Sequence, residues 1–267
     1  MTMALTAVLA AVFGLVIGAL LGLVGGGGGI LAVPALVYGL GLPLAAAVPA
    51  SLVVIGAASA VAVAPRARHE VAWRLAAIIG TAGVPTALAG GVVNRHLDQR
   101  WLMLAFAAIM VAAGVRMLRG TGEGGGVCEL PEGGVAWRRC LPRAVLTGLA
   151  VGFLTGLLGV GGGFLLVPAL IVALGLRTPT AVATSLVVVT INAVAGLIPY
   201  LTAPAGSGPP MNWALIGTFA LAAIVASLPA GHLARRLPAQ TLRRGFAVLV
   251  LLVAAGIATD TVIELLT

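Results

Sequence analysis

No lysine occurs anywhere in this chain of 267 residues, and only seven side chains are acidic. Charged residues make up 8% of it, against about 25% in soluble domains, so an ordinary water-facing surface cannot be assembled from this composition. Cysteine is nearly absent as well. Cys128 and Cys140 lie twelve positions apart in a hydrophilic stretch, too few for a four-ligand zinc site, and in a cytoplasmic loop both should stay reduced. No Asp, Glu or Lys falls inside an apolar stretch short of its ends, Asp260 standing at the end of the last one, which removes the carboxylate cage a cation would need. No nucleophile is paired with a base, and Gly25 to Gly29 are not followed by the Gly-Lys-Ser/Thr of a nucleotide loop. These absences speak against an enzyme, a resident metal and a cofactor.

What is present is apolar. Hydrophobic residues reach 61% and mean hydropathy is +1.17. Stretches long enough to cross a hydrocarbon core of about 30 Å fall at 3–23, 75–94, 101–118, 144–158 with its flanks, 213–233 and 245–261. The first has no basic start and runs straight into glycines, so it reads as a permanent span and not a signal peptide. The lipid bilayer is the solvent, and the location expected is the inner (plasma) membrane, crossed several times.

All fifteen basic residues are arginines. In a soluble protein such a charge would suggest nucleic acid; between membrane spans it is a topology signal, and no nucleic-acid partner is expected. Arg66, Arg68 and Arg74, then Arg116 to Arg143, then Arg235 to Arg244 mark three connections as cytoplasmic. Thr202 to Asn212 carries no charge and should face the other side with both chain ends.

The chain also repeats itself. Gly22-Leu23-Val24-Gly25-Gly26-Gly27-Gly28-Gly29, continuing to Val33-Pro34-Ala35-Leu36, returns from Gly156 to Leu170 at an offset of 156 − 22 = 134. From Gly22 to Val54, 20 of 33 positions are identical in the second copy. Trp73 pairs with Trp213 at an offset of 140, the difference falling in the Pro/Gly-rich link 202–210. Two repeats, 1–118 and 143–267, are therefore joined by a flexible cytoplasmic linker, 119–142. Each copy holds three long spans and one pair of shorter segments, so each makes an odd number of net crossings and the two point opposite ways. The fold class expected is an all-α polytopic membrane protein of two inverted-topology repeats, each with a glycine-broken short-helix pair or re-entrant hairpin plus three long transmembrane helices.

The short segments Ile30 to Leu42 and Phe164 to Leu176 would make about 20 Å of helix, too little to cross. Irregular backbone at membrane depth survives only against protein or a water-filled cavity, which places the glycine runs on a transport path. Helix N-termini offer free N–H groups and partial positive charge, a chemistry suited to an anion. The candidate substrate-binding residues are Gly25, Gly27, Gly28, Gly29, Gly159, Gly161, Gly162 and Gly163, with Ser51, Thr184, Ser185 and Asn192 as further donors. Each has a plainer reading: glycines for close helix packing, hydroxyls bonding a carbonyl one turn back, an amide bonding a neighbouring helix. Arg177 is either an anion attractor deep in the membrane or a surface topology residue, and Pro43 at the matching position favours the latter.

The doubled Gly-Leu-x-Gly-x-Gly-Gly-Gly…Val-Pro-Ala-Leu block, with its Ser-Leu-Val-Val return, resembles the TauE/SafE family of sulfite exporters across essentially the whole chain. The resemblance implies export of sulfite or a small organosulfonate such as sulfoacetate. The expected activity is membrane-potential-driven export of such an anion between the repeats; the alternative is a proton-coupled carrier of another small anion. The oligomeric state is left open, a homodimer included.

Overall fold

The computed structural model describes residues 3–26, 29–67, 69–94, 137–158, 163–201 and 212–238, with shorter helical stretches between 107 and 119 and between 240 and 256. All regular elements among them are helical: α1 (Met3–Val24), α2 (Gly29–Pro34), α3 (Leu44–Val63), α4 (Trp73–Asn94), α5 (Trp137–Leu158), α6 (Gly163–Leu174), α7 (Thr178–Leu201) and α8 (Trp213–Arg236). Where both starts are described, the second half keeps the register of the first: α3 and α7 begin 178 − 44 = 134 positions apart, and α4 and α8 begin 213 − 73 = 140 apart. Among the described residues four helices, α1, α3, α7 and α8, are long and apolar enough to cross a membrane. The expected spans at 101–118 and 245–261 fall largely outside the described residues, as does the link 202–211.

Local sequence explains the breaks. Gly25 stops α1 at φ +77°, its N–H still bonded to Leu21 O at 2.9 Å, a left-handed cap that a side chain would strain. The short helices end alike. Gly41 and Gly175, equivalent by the 134 offset, both stand at φ +67°, and Leu42 and Leu176 then bond back to Leu36 O (3.0 Å) and Leu170 O (3.2 Å). α2 continues as a π-helical turn, Ala35–Gly39, whereas α6 stays regular through the matching Pro168. At about 1.5 Å per residue both short helices stay under about 20 Å, as the sequence suggested.

α5 is already helical at Trp137, inside the stretch read as linker. A second difference concerns Cys140. It is fully buried and disulfide-bonded, not the reduced loop thiol expected, and the chain's other cysteine, Cys128, lies outside the described residues. Burial at the head of α5, and not solvation in a loop, is the environment that the reduced-thiol argument left out.

The packing is reciprocal between halves. α1 lies against α8, their counterparts α5 and α4 lie against each other, and the arms α3 and α7 cross at the centre. More than half of each arm's spanning window is buried (56%), against 39% and 33% for α1 and α8, so the arms form the core. The outer pairs are zipped by glycine. A Cβ on Gly14 would stand 2.6 Å from Phe219 O; on Gly18 it would strike the backbone of Ala223, and on Gly22 that of Ser227. In the second outer pair, Gly148 and Gly152 meet the backbone of Ile79 and Gly83, which are the same contacts shifted by 134 and 140. Helix axes this close are the usual product of a small-xxx-small stripe in lipid.

The order of these contacts gives direction. Gly14, Gly18 and Gly22 meet Phe219, Ala223 and Ser227 in rising order, so α1 and α8 run parallel, and α5 and α4 do likewise. Across the centre, Gly56 meets Ala193 while Gly196 meets Leu52, so α3 and α7 run antiparallel. Consequently the C-terminal ends of α1, α3 and α8 and the N-terminal ends of α4, α5 and α7 share one end of the bundle. Arg66, Arg74, Arg143, Arg177 and Arg236 all lie there.

Candidate functional site

Where α1 stops, its chain turns under the arm of the other half. Gly25 and Gly26 are buried, and the Gly26 N–H donates to Ser185 Oγ at 3.5 Å. The same hydroxyl donates to Val182 O at 2.8 Å. A side chain at Gly25 would meet Ser185 Oγ at 2.8 Å and Val182 at 3.1 Å, so this glycine is fixed both by its left-handed backbone and by contact with α7. Gly29 opens α2 and differs: a Cβ there would find Ile55 Cδ1 at 3.4 Å, an ordinary contact. Gly163 opens α6. Gly27, Gly28, Gly159, Gly161 and Gly162 lie outside the described residues.

This contrast is testable. Gly25→Ala should lower the melting temperature of the purified protein by several degrees, the strain of a left-handed alanine being about 1 to 2 kcal/mol. Gly29→Ala should leave melting within about a degree, because both space and helical backbone suit a methyl group. Thermal unfolding in detergent followed by size-exclusion fluorescence distinguishes the two.

The hydroxyl candidates separate by place. Ser51, equivalent to Ser185, bonds Val48 O at 2.7 Å in its own helix and lies toward the opposite end of the bundle. Thr184, fully buried, accepts the Ala72 N–H at 3.1 Å and so ties α7 to the start of α4. Asn192 is half-buried farther along α7. The structure thus brings Ser185 to the first glycine run, gives Thr184 a different partner, and leaves Ser51 at the other end.

Arg66 is the residue the sequence reading misplaced. It was expected as a solvated link residue, yet it is 3% exposed at the end of α3. Its Nη2 donates to Gly22 O of α1 at 2.8 Å and to Gly231 O of α8 at 3.1 Å, and its Nε stands 3.8 Å from Glu70 Oε2. The guanidinium thereby satisfies a terminal carbonyl of α1 and favours the negative end of that helix. Its counting as one of several arginines hid this, since charge alone does not distinguish a topology residue from a buried tie. The outer-pair glycine stripes were visible as Gly14-x3-Gly18-x3-Gly22 and Gly148-x3-Gly152-x3-Gly156. Arg177, by contrast, is exposed at the turn before α7, the surface position its neighbours favoured.

The profile of the sulfite exporter TauE/SafE family matches residues 10–257. The chain belongs to this family of membrane transporters. Among the family's relatives, a probable membrane transporter protein of Xylella fastidiosa strain 9a5c is 36% identical over 178 residues, covering 65% of this chain and 66% of that protein. One from Methanocaldococcus jannaschii, also described as a probable membrane transporter protein, is 29% identical over 201 residues, covering 72% and 71%. The chain spans just under two thirds of the Xylella relative's length. No solved structure matches it. With its apolar spanning helices, the TauE/SafE chain is a multi-pass protein of the cell membrane.

Proposed function

We propose that this TauE/SafE protein exports a small sulfur oxyanion, sulfite or a small organosulfonate, along a path between two inverted repeats, driven by membrane potential. The observation that carries the reading is the buried meeting of the first glycine run with Ser185 of the opposite repeat. There a backbone amide and a hydroxyl meet in a buried position just past the end of α1, and neither requires a titrating group to hold an anion. The family description names sulfite exporters, which supports the substrate class. The antiparallel order of α3 and α7 supports the inverted relation of the halves, and the arginines at one end of the bundle support that end as cytoplasmic.

In this reading Gly27 to Gly29 and Gly161 to Gly163 present amides to the oxyanion, with Ser51, Thr184, Ser185 and Asn192 on the arms as further donors. Ser51 and Ser185 donate to it only by exchanging their present bonds to Val48 O and Val182 O. Export needs no partner ion, because a cell interior negative by 100 mV drives each departing negative charge by about 2.3 kcal/mol. The proton-coupled alternative has one carboxylate near the path, Glu70, beside Arg66. Titration calorimetry of the purified protein should show saturable sulfite binding that chloride competes with poorly; no heat with sulfite, sulfoacetate or sulfate would refute the substrate class.

A further inference from the structure

The two halves pack alike, but the polar ties at the two ends of the bundle are unlike. At the arginine-rich end, Arg66 joins the tip of α3 to both members of the outer pair α1 and α8, and Thr184 joins α7 to the chain entering α4. Each arm is thus held to a neighbouring outer pair by a buried side chain: Arg66 is 3% exposed and Thr184 fully buried. The repeat supplies the comparison. The counterpart of Thr184 is Ala50 (184 − 134), which has no hydroxyl. The counterpart of Arg66 is Tyr200 (66 + 134), uncharged and 40% exposed. Ser185 and Ser51, by contrast, are matched and bond alike within their own helices.

We propose that Arg66 and Thr184 form a latch that holds the arginine-rich end closed, and that their replacement by Tyr200 and Ala50 at the equivalent positions of the other repeat makes the two access states of the empty protein unequal. The proposal rests on the reading of the chain as a transporter with an access state for each face. Opening the latched end requires α3 to leave Gly22 O and Gly231 O, and α7 to release the Ala72 N–H. Opening the other end breaks neither set. A carrier of exactly symmetric halves would sample both faces equally; the latch biases this one toward the face away from the arginines. A ligand arriving at the latched end must therefore supply the free energy of opening it, and its apparent affinity there is lowered by the fraction of molecules already open.

Two buried, equivalent alanines make matched reporters. Ala181 lies in the first turn of α7 at the latched end and Ala47 in the first turn of α3 at the other, both fully buried. Ala181→Cys or Ala47→Cys is placed in the full-length chain carrying Cys128→Ser and Cys140→Ala, reconstituted in vesicles of known orientation. A membrane-impermeant thiol reagent is then added at one face. Thr184→Val and Arg66→Gln should each accelerate modification of Ala181→Cys from the arginine-rich face at least tenfold, with no acceleration of Ala47→Cys from the opposite face. Thr184→Ser, which retains the hydroxyl, should behave like the parent. No acceleration at Ala181→Cys, or equal acceleration at both reporters with a lowered melting temperature, would overturn the latch. The readout uses no sulfite, so loss of the substrate assignment would leave it standing.

Discussion

Gly18→Val and Gly152→Val should each leave little folded protein. At both positions a Cβ would collide with the backbone of the facing helix, Ala223 in one case and Gly83 in the other, and no rotamer change can relieve a clash with backbone. The outer pair would have to separate along its whole length. Overpacking in a closed core costs about 1 to 3 kcal/mol where side chains can yield and more where they cannot. Against a total stability of about 5 to 15 kcal/mol, a loss above about 3 should be visible as a melting temperature lowered by ten degrees or more, or as aggregation on size exclusion. Gly217→Val is the control on the same helix as Ala223: nothing lies within 4 Å of its Cβ position, so its effect should stay small. If Gly18→Val and Gly217→Val melt together, the close approach of α1 and α8 is wrong.

The largest functional effect should come from the glycine runs themselves. On the proposed site, Gly28→Val or Gly162→Val would put a branched side chain where the oxyanion approaches backbone amides, and transport should fall at least a hundredfold. Loss of folding could imitate that result. Ser185→Ala separates the causes, because its hydroxyl is buried between Val182 O and the Gly26 amide and its removal leaves the helix intact. A hydrogen bond to a charged ligand is worth about 1.5 to 3 kcal/mol, so sulfite affinity should weaken about ten- to a hundredfold while melting shifts by only a few degrees. Unchanged sulfite affinity in both a folded Gly162→Val and Ser185→Ala would put the site elsewhere.

Much of the architecture was legible because the chain states it twice. α3 and α7 begin at residues matched by the 134 offset, and the glycine caps at Gly41 and Gly175 fall where the short apolar runs end. Parity of crossings anticipated opposed halves, a reading that the antiparallel arms support. What sequence could not reveal was partnership across the fold. Thr184 reads as a free hydroxyl until Ala72 is seen beside it, and Arg66 reads as one more cytoplasmic charge until two carbonyls from α1 and α8 are found at its guanidinium. Both contacts span more than forty positions of chain, beyond the reach of any local pattern. Even the glycine runs divide only in three dimensions, Gly25 being held by conformation and Gly29 free of it.

The central claim is that an anion leaves through this protein under the membrane potential. The direct measurement is efflux of labelled sulfite from oriented vesicles containing the purified protein, with potential and pH gradient imposed separately by ionophores. Efflux that accelerates as the interior is made negative, and persists when the pH gradient is collapsed, is the result predicted here. Efflux that follows the pH gradient and ignores the potential would contradict it and point to a proton carrier, with Glu70 beside Arg66 as the first residue to replace.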